Sequence, residues 1–321
     1  MRKKVILISV LLILLASCFI HVRVDKTVTV KSPFLNVYSF LLQADKWEKW
    51  LPGLRQSMVT DSAKISVHKK PNEFTLQYAP IQVAVKAIGN EFNVKEHNDN
   101  KTRYYSYVLM PVPDKLNNKT YITAEKKISL LKYCFGLVVG NSFNDTHLDY
   151  LKTYMETDSL FYGFNIVKTV VPESDLIVTR KKVLNRDRFT GAAKMLATLQ
   201  GYVKINGLKQ MEPLIAQFIP DAKDSTEVKI GFFVDKAVKP GNGIEYNRMP
   251  KGGRLYAARF KGKFCKRGEI YNAMRDYFND HTIQSLFLPI ETYLDNKLPA
   301  NDNDSVNIQL NFPAFPPANG H

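Results

Sequence analysis

LPIETYLDN, residues 288–296, precedes VNIQLNFP, residues 306–313. In the second stretch Val306, Ile308, Leu310 and Phe312 alternate with polar residues, the pattern of a strand with one face buried. In the first, Leu288, Pro289, Ile290, Tyr293 and Leu294 read as a buried segment with Glu291 in its middle. On an extended backbone Glu291 and Tyr293 point to one face. Upstream, Arg254 to Phe260 reads as a strand ending at Lys261-Gly262. Gly268 to Phe278 reads as a helix with Ile270, Ala273, Met274, Tyr277 and Phe278 on one side. The order is strand, helix, strand, strand.

The same order stands before it. Phe161 to Val167 and Leu176 to Val183 read as strands, and Asp187 to Asn206 as a helix stopped by Gly207. Pro213 to Ile219 and Val228 to Val234 are strand-like, and Pro240 to Gly243 is a turn or linker. Ala216-Gln217-Phe218-Ile219 stands before VKIGFFV as Glu291-Thr292-Tyr293-Leu294 stands before VNIQLNFP. This is a βαββ duplication. Ala216 and Phe218 hold the places of Glu291 and Tyr293, so any carboxylate site belongs to one repeat.

This half resembles the gyrase-inhibitor-like, AraC-type effector-binding domain over residues 160–316. The resemblance is carried by Met249-Pro250-Lys251-Gly252-Gly253-Arg254-Leu255-Tyr256-Ala257-Ala258, Lys261-Gly262-Lys263-Phe264, Pro289-Ile290-Glu291-Thr292-Tyr293 and Asn311-Phe312-Pro313. Lys261 departs from the family pattern at the rim. The resemblance implies that Glu291 faces a central groove and contacts cationic or polar ligands, with Tyr293 and Tyr256 as its aromatic neighbours. A carboxylate in an apolar cleft is costly unless a partner compensates. The bland alternative is an exposed strand residue bonded to a neighbouring lysine.

The first half has its own pattern. Val22, Val24, Val28 and Val30 share a parity. Ser32 and Pro33 suit a helix start, and Phe34, Val37, Tyr38, Leu41 and Leu42 mark one helical face. Strand-like stretches follow at 64–68, 73–78, 83–87, 103–110 and 121–131. Asn144 can cap a closing helix bearing Leu148, Leu151 and Met155. Ser32-Pro33 through Trp47 and Trp50-Leu51-Pro52, together with LDYLKTYME at 148–156, resemble the SRPBCC (START-like, polyketide-cyclase-like) superfamily over residues 23–158. The resemblance implies a helix-grip domain with an apolar cavity. Trp47 and Trp50 read as core. The expected fold class is α+β throughout: a START-like domain, then the duplicated βαββ domain.

Residues 1–22 read as a signal or membrane anchor. MRKK is a positive leader, Val5 to Leu15 is apolar, and LASC ends at Cys18. One reading is a bacterial lipoprotein signal with Cys18 lipidated. The other is an uncleaved anchor over Val5 to Val22. Both attach the chain to a membrane and export the rest.

The chain has 321 residues, is 45% hydrophobic and carries a net charge of +15, so it can build two cores and favours anionic surfaces or ligands. Its basic residues are scattered, and no helix-turn-helix precedes the effector-like half, so direct nucleic-acid binding is not expected. Cys134 and Cys265 fall in different predicted domains, which indicates no disulfide framework. The six dispersed histidines give no metal signature, and no cofactor is expected. Two functions stay open. One is a membrane-attached binding protein for a small amphipathic or cationic molecule. The other is a hydrolase or cyclase acting on a small electrophilic compound, with Glu291 as general acid or base and Tyr256 or Tyr293 assisting.

Overall fold

The computed structural model describes residues 17–314 except 18, 53, 55–65, 79, 99–100, 114–117, 140–145, 172–173, 222–223, 242, 250–251 and 286–287. Cys18, Lys64, Asn144, Pro250, Lys251 and most of the 1–22 segment therefore lie outside the described residues. The chain divides into two compact units, Met1–Thr157 and Asp158–His321.

In the first unit β1 (His21–Val30) leads into α1 (Phe34–Leu41) and α2 (Ala44–Trp50). β2 (Ser66–Lys70), β3 (Glu73–Tyr78), β4 (Ile81–Ile88), β5 (Glu91–Asn98), β6 (Lys101–Pro111) and β7 (Thr120–Ser129) follow. Then come α3 (Leu130–Val139) and α4 (Thr146–Glu156). The strands form one antiparallel sheet in the order β1-β7-β6-β5-β4-β3-β2. Alternation decides its buried face: Val85, Phe92, Tyr107, Leu109 and Ile122 are all under 2% exposed. Trp47 and Trp50 are core, with ring centroids 4.9 Å apart. The Trp47 indole N–H is satisfied by donating to the Leu41 carbonyl at 2.9 Å. Leu148 and Leu151 of α4 are fully buried.

Three local expectations change. Ser32 does not cap α1; the Pro33 carbonyl instead accepts from the Asn36 and Val37 N–H groups, both at 3.1 Å. β5 was not foreseen, because its third inward position is the charged Glu96, which accepts from the Tyr105 hydroxyl at 3.3 Å and faces Arg103. The strand expected over 121–131 stops at Ser129, and its apolar end belongs to α3.

The second unit comprises α5 (Asp158–Phe161), β8 (Val167–Val170), β9 (Ser174–Leu184), α6 (Arg188–Ile205), β10 (Leu214–Pro220), β11 (Ser225–Val234), β12 (Ile244–Met249), β13 (Arg254–Lys263), α7 (Gly268–Asp280), β14 (Ile290–Tyr293) and β15 (Ser305–Ala314). Its sheet is antiparallel in the order β12-β9-β11-β10-β14-β15-β13-β8. The order is symmetric about the β10–β14 pair. β9-α6-β10-β11 is one repeat and β13-α7-β14-β15 the other. Each repeat also receives an edge strand that lies just before the other repeat in sequence: β8 pairs with β13, and β12 with β9. The segment 161–167 is not the strand its composition suggests; Tyr162 and Phe164 pack on the core without joining a ladder.

Helices α6 and α7 cover the same sheet face and share one core. α6 packs on β9 and β11, and α7 on β13 and β15. The central strands β10 and β14 therefore lie beneath the gap between the helices. Gly207, at φ +56°, ends α6 in the left-handed conformation that a glycine adopts without strain.

Candidate binding site at the junction of the two repeats

β14 is four residues long and pairs on both sides, with Leu214 opposite Tyr293 on β10 and Leu310 opposite Glu291 on β15. Glu291 and Tyr293 face the helices, and Glu291 is 1% exposed. The sequence thus puts a carboxylate at the middle of the sheet, under the inter-helix gap.

Its oxygens are both engaged. Oε1 accepts from the Tyr271 hydroxyl at 2.5 Å and from Arg267 Nε at 3.2 Å. Oε2 accepts from the Tyr293 hydroxyl at 2.9 Å. Arg267 also donates through Nη2 to the Phe218 carbonyl at 3.2 Å, and its guanidinium lies 3.8 Å from the Phe264 ring centroid. The bland alternative of an exposed glutamate paired with a lysine does not hold. Burying a carboxylate costs several kcal/mol. Hydrogen bonds to a charged group return about 1.5–3 kcal/mol each, so three of them can offset that loss.

The two phenols are donors by construction. Burial, then the charge of Glu291, pushes the ionisation of Tyr271 and of Tyr293 well above the ordinary tyrosine range. Arg267 reaches solvent, with its side chain 20% exposed. It stands immediately before α7, where the helix dipole disfavours a cation. Glu291 and the Phe264 face compensate for that placement. Phe264, Phe218 and Phe189 then continue as a cluster with ring centroids 5.2–5.8 Å apart.

The structure brings Glu291 and Tyr293 together. Tyr256 belongs to a neighbouring group: its ring centroid is 5.8 Å from Tyr277 and 5.2 Å from Phe278, and Lys168 Nζ lies 5.8 Å above it. Phe312 joins the two groups, 6.4 Å from Tyr271 and 5.1 Å from Phe278. Lys261 is exposed, on the strand side opposite Phe260, and does not face the carboxylate. Arg267 and Tyr271 were missed by sequence reasoning. Tyr271 is a polar member of a helix read for its apolar side, and Arg267 stands just before that helix, four residues away and so on the same side of the turn.

Among the described residues no group of three His, Cys, Asp or Glu could hold a metal ion. Cys134 and Cys265 are exposed free thiols. In the first unit the Trp50 Nε1 is buried without a hydrogen-bond acceptor among the described residues.

No protein-family model and no curated protein matches the chain. Among solved structures, the EcmrR C-terminal domain is similar at 17% identity, covering 47% of this chain and 98% of its own, with a TM-score of 0.38. A structure described as a hydrolase from Listeria innocua is similar at 12% identity, covering 47% and 92%, with a TM-score of 0.34. SAV2435 bound to tetraphenylphosphonium is similar at 11% identity, covering 47% and 94%, with a TM-score of 0.29. Likeness at these levels leaves the functional reading to rest on the side chains themselves.

Proposed function

We propose that the second unit, residues 160–316, is a GyrI-like effector-binding domain that takes a small amphipathic or cationic molecule at the β10–β14 junction, with Glu291 as its anionic recognition group. The observation that carries this is the buried carboxylate whose cationic partner, Arg267, itself reaches solvent. Arg267 is a charge seated against an aromatic ring and a carboxylate. A ligand that joins a cation to an apolar body reproduces both contacts, and Arg267 moves out to water as the ligand enters. Tyr271 and Tyr293 hold the carboxylate in place, and Tyr256 belongs to the aromatic wall beyond Phe312.

Residues 23–158 are read as a START-like domain with an apolar cavity. The single antiparallel sheet, with Trp47 of α2 against Phe74 and Tyr107 and with Phe40 of α1 against Tyr154 of α4, supports that reading. The apolar stretch Val5–Leu15 attaches the chain to the exported face of a bacterial membrane, through lipidated Cys18 or as an uncleaved anchor. A topology reporter fused after His321 tests this compartment; activity on the cytoplasmic side would contradict it.

The hydrolase or cyclase reading uses the same residues. It is disfavoured because both Glu291 oxygens already accept hydrogen bonds from Tyr271, Arg267 and Tyr293, which leaves neither aimed at a substrate proton. Calorimetric titration of the full chain with a panel of lipophilic cations and their neutral isosteres tests the binding function. Preference for cations is expected, and failure of the folded protein to bind any member of the panel would overturn it.

A further inference from the structure

Helix α3, Leu130–Val139, has the sequence LLKYCFGLVV and contains no buried residue among those described. Leu131, Cys134, Phe135 and Val138 recur at the spacing of one helical face. That face looks outward: Leu131 is 37% exposed, Phe135 69% and Val138 86%. A stripe of this kind on a ten-residue helix marks a contact surface rather than a core element.

Its position names the partner. β1 and β7 are antiparallel, with His21 opposite Ser129, so α3 leaves the sheet where the N-terminal segment joins it. The Leu130 N–H donates to the Ile20 carbonyl at 2.7 Å. Phe19 and Ile20, 81% and 53% exposed, add apolar surface at that end. His21 stands three positions after Cys18, a reach of about 10 Å. His21 and Val22 belong to β1 and not to an anchor over Val5 to Val22, so an attachment of either form ends by Ile20 and holds this sheet end against the bilayer. Lys127 and Lys132, together with Arg23 and its partner Glu125, line part of a groove that crosses the sheet as far as Glu73 of β3, and the two lysines put positive charge beside α3.

We infer that α3 lies in the interface of an anionic phospholipid bilayer, its Leu131–Phe135–Val138 face among the acyl chains and its lysines at the headgroups. This rests on the proposed N-terminal attachment and adds to it a second contact that fixes the orientation of the first unit.

The chain carries its own reporters, since Cys134 lies on the helix and Cys265 is exposed in the second unit. The full chain is reconstituted into phosphatidylcholine vesicles containing a quarter phosphatidylglycerol. Both thiols are then modified with a charged, membrane-impermeant maleimide, and the rates are read site by site by mass spectrometry. Cys134 should react about tenfold more slowly than Cys265 in vesicles. Phe135→Asp with Val138→Asp should restore its rate while the protein stays vesicle-bound. Equal rates in a vesicle-bound chain would overturn the inference and leave the attachment standing. Failure of the chain to sediment with vesicles would overturn both. Protection of Cys134 that persists in lipid-free amphipol would overturn the bilayer contact in favour of cover by the chain's own apolar residues. Cys134–Cys134 disulfide formation that accounts for the protection would overturn it in favour of a second copy.

Discussion

The Tyr271 hydroxyl donates to Glu291 Oε1 at 2.5 Å, tying helix α7 to the central strand β14 of its own repeat. With Tyr293 and Arg267, that bond makes Glu291 a structural node as well as the proposed recognition group. The two roles separate under substitution, because they depend on different atoms.

Glu291→Ala leaves two phenols and a guanidinium without their acceptor. It should destabilise the second unit by about 2–4 kcal/mol. Leu310→Ala, which empties a fully buried site beside it, should cost about 2–5 kcal/mol. Glu291→Gln keeps an acceptor oxygen and should cost about 1–2 kcal/mol. Denaturant unfolding of the three variants checks the order. An unchanged midpoint for Glu291→Ala would show that the network does not support the fold.

Arg267→Met removes the resident cation and keeps most of the apolar stem over Phe264. The carboxylate then lacks its charged partner, so a lipophilic cation no longer competes with the side chain. Affinity for a lipophilic quaternary ammonium cation should rise by about tenfold, near 1.4 kcal/mol. Calorimetric titration reads this directly, and a loss of affinity would place Arg267 among the ligand's contacts instead.

Alkaline pH should unfold the second unit. Burial, with lesser contributions from Asp158 and Tyr256, raises Tyr277 from 10.0 to about 12. Burial likewise raises Tyr162, Tyr271 and Tyr293. Each folded phenol keeps its proton where the unfolded one has lost it. Their stabilisation is therefore complete below pH 10 and is lost as pH rises, across 10 to 12 for Tyr277. Each such tyrosine should contribute a fall of about 1.4 kcal/mol per pH unit in its window. Thermal melts from pH 8 to 11.5, with phenolate absorbance followed in parallel, would show it; phenols ionising near pH 10 in the folded chain would contradict the buried network.

Gly231 in β11 faces away from the helices, and an added Cβ would sit 3.0 Å from the Ile177 carbonyl oxygen of β9. Backbone on a neighbouring strand cannot yield cheaply. Gly231→Ala should destabilise by about 1–3 kcal/mol, measurable by denaturant unfolding. Gly201→Ala, in the body of α6 where a Cβ meets nothing within 4 Å, should by contrast stabilise by about 0.5–1 kcal/mol.

The duplicated unit was legible where apolar residues keep a strict period. Val306, Ile308, Leu310 and Phe312 are inward and buried, and Ile270, Ala273, Met274, Tyr277 and Phe278 are the buried side of α7. Elements escaped where polar side chains occupy inward or edge places. β5 carries Glu96 inward, and β12, an edge strand reading IEYNRM, follows the Pro240–Gly243 turn and looks like linker. The swapped edge strands were not foreseeable, because a strand's partner across the repeat leaves no local mark. At the site, parity puts Glu291 and Tyr293 on one face, but the inward direction of that face followed only from the family resemblance. Arg267 and Tyr271 were not readable, since only the fold brings a helix start to the middle of the sheet. The apolar residues at 130–131 were read into a strand, which hid the outward stripe of α3.

The most direct test of the central claim is titration of a lipophilic quaternary ammonium cation into the full chain and into Glu291→Gln, with a melt of each at the same pH. The account predicts that the wild-type chain binds and that the variant, still folded, binds at least about tenfold more weakly, through loss of a charge-assisted contact. Equal affinity of the two, or no binding by the folded wild-type chain, would contradict it.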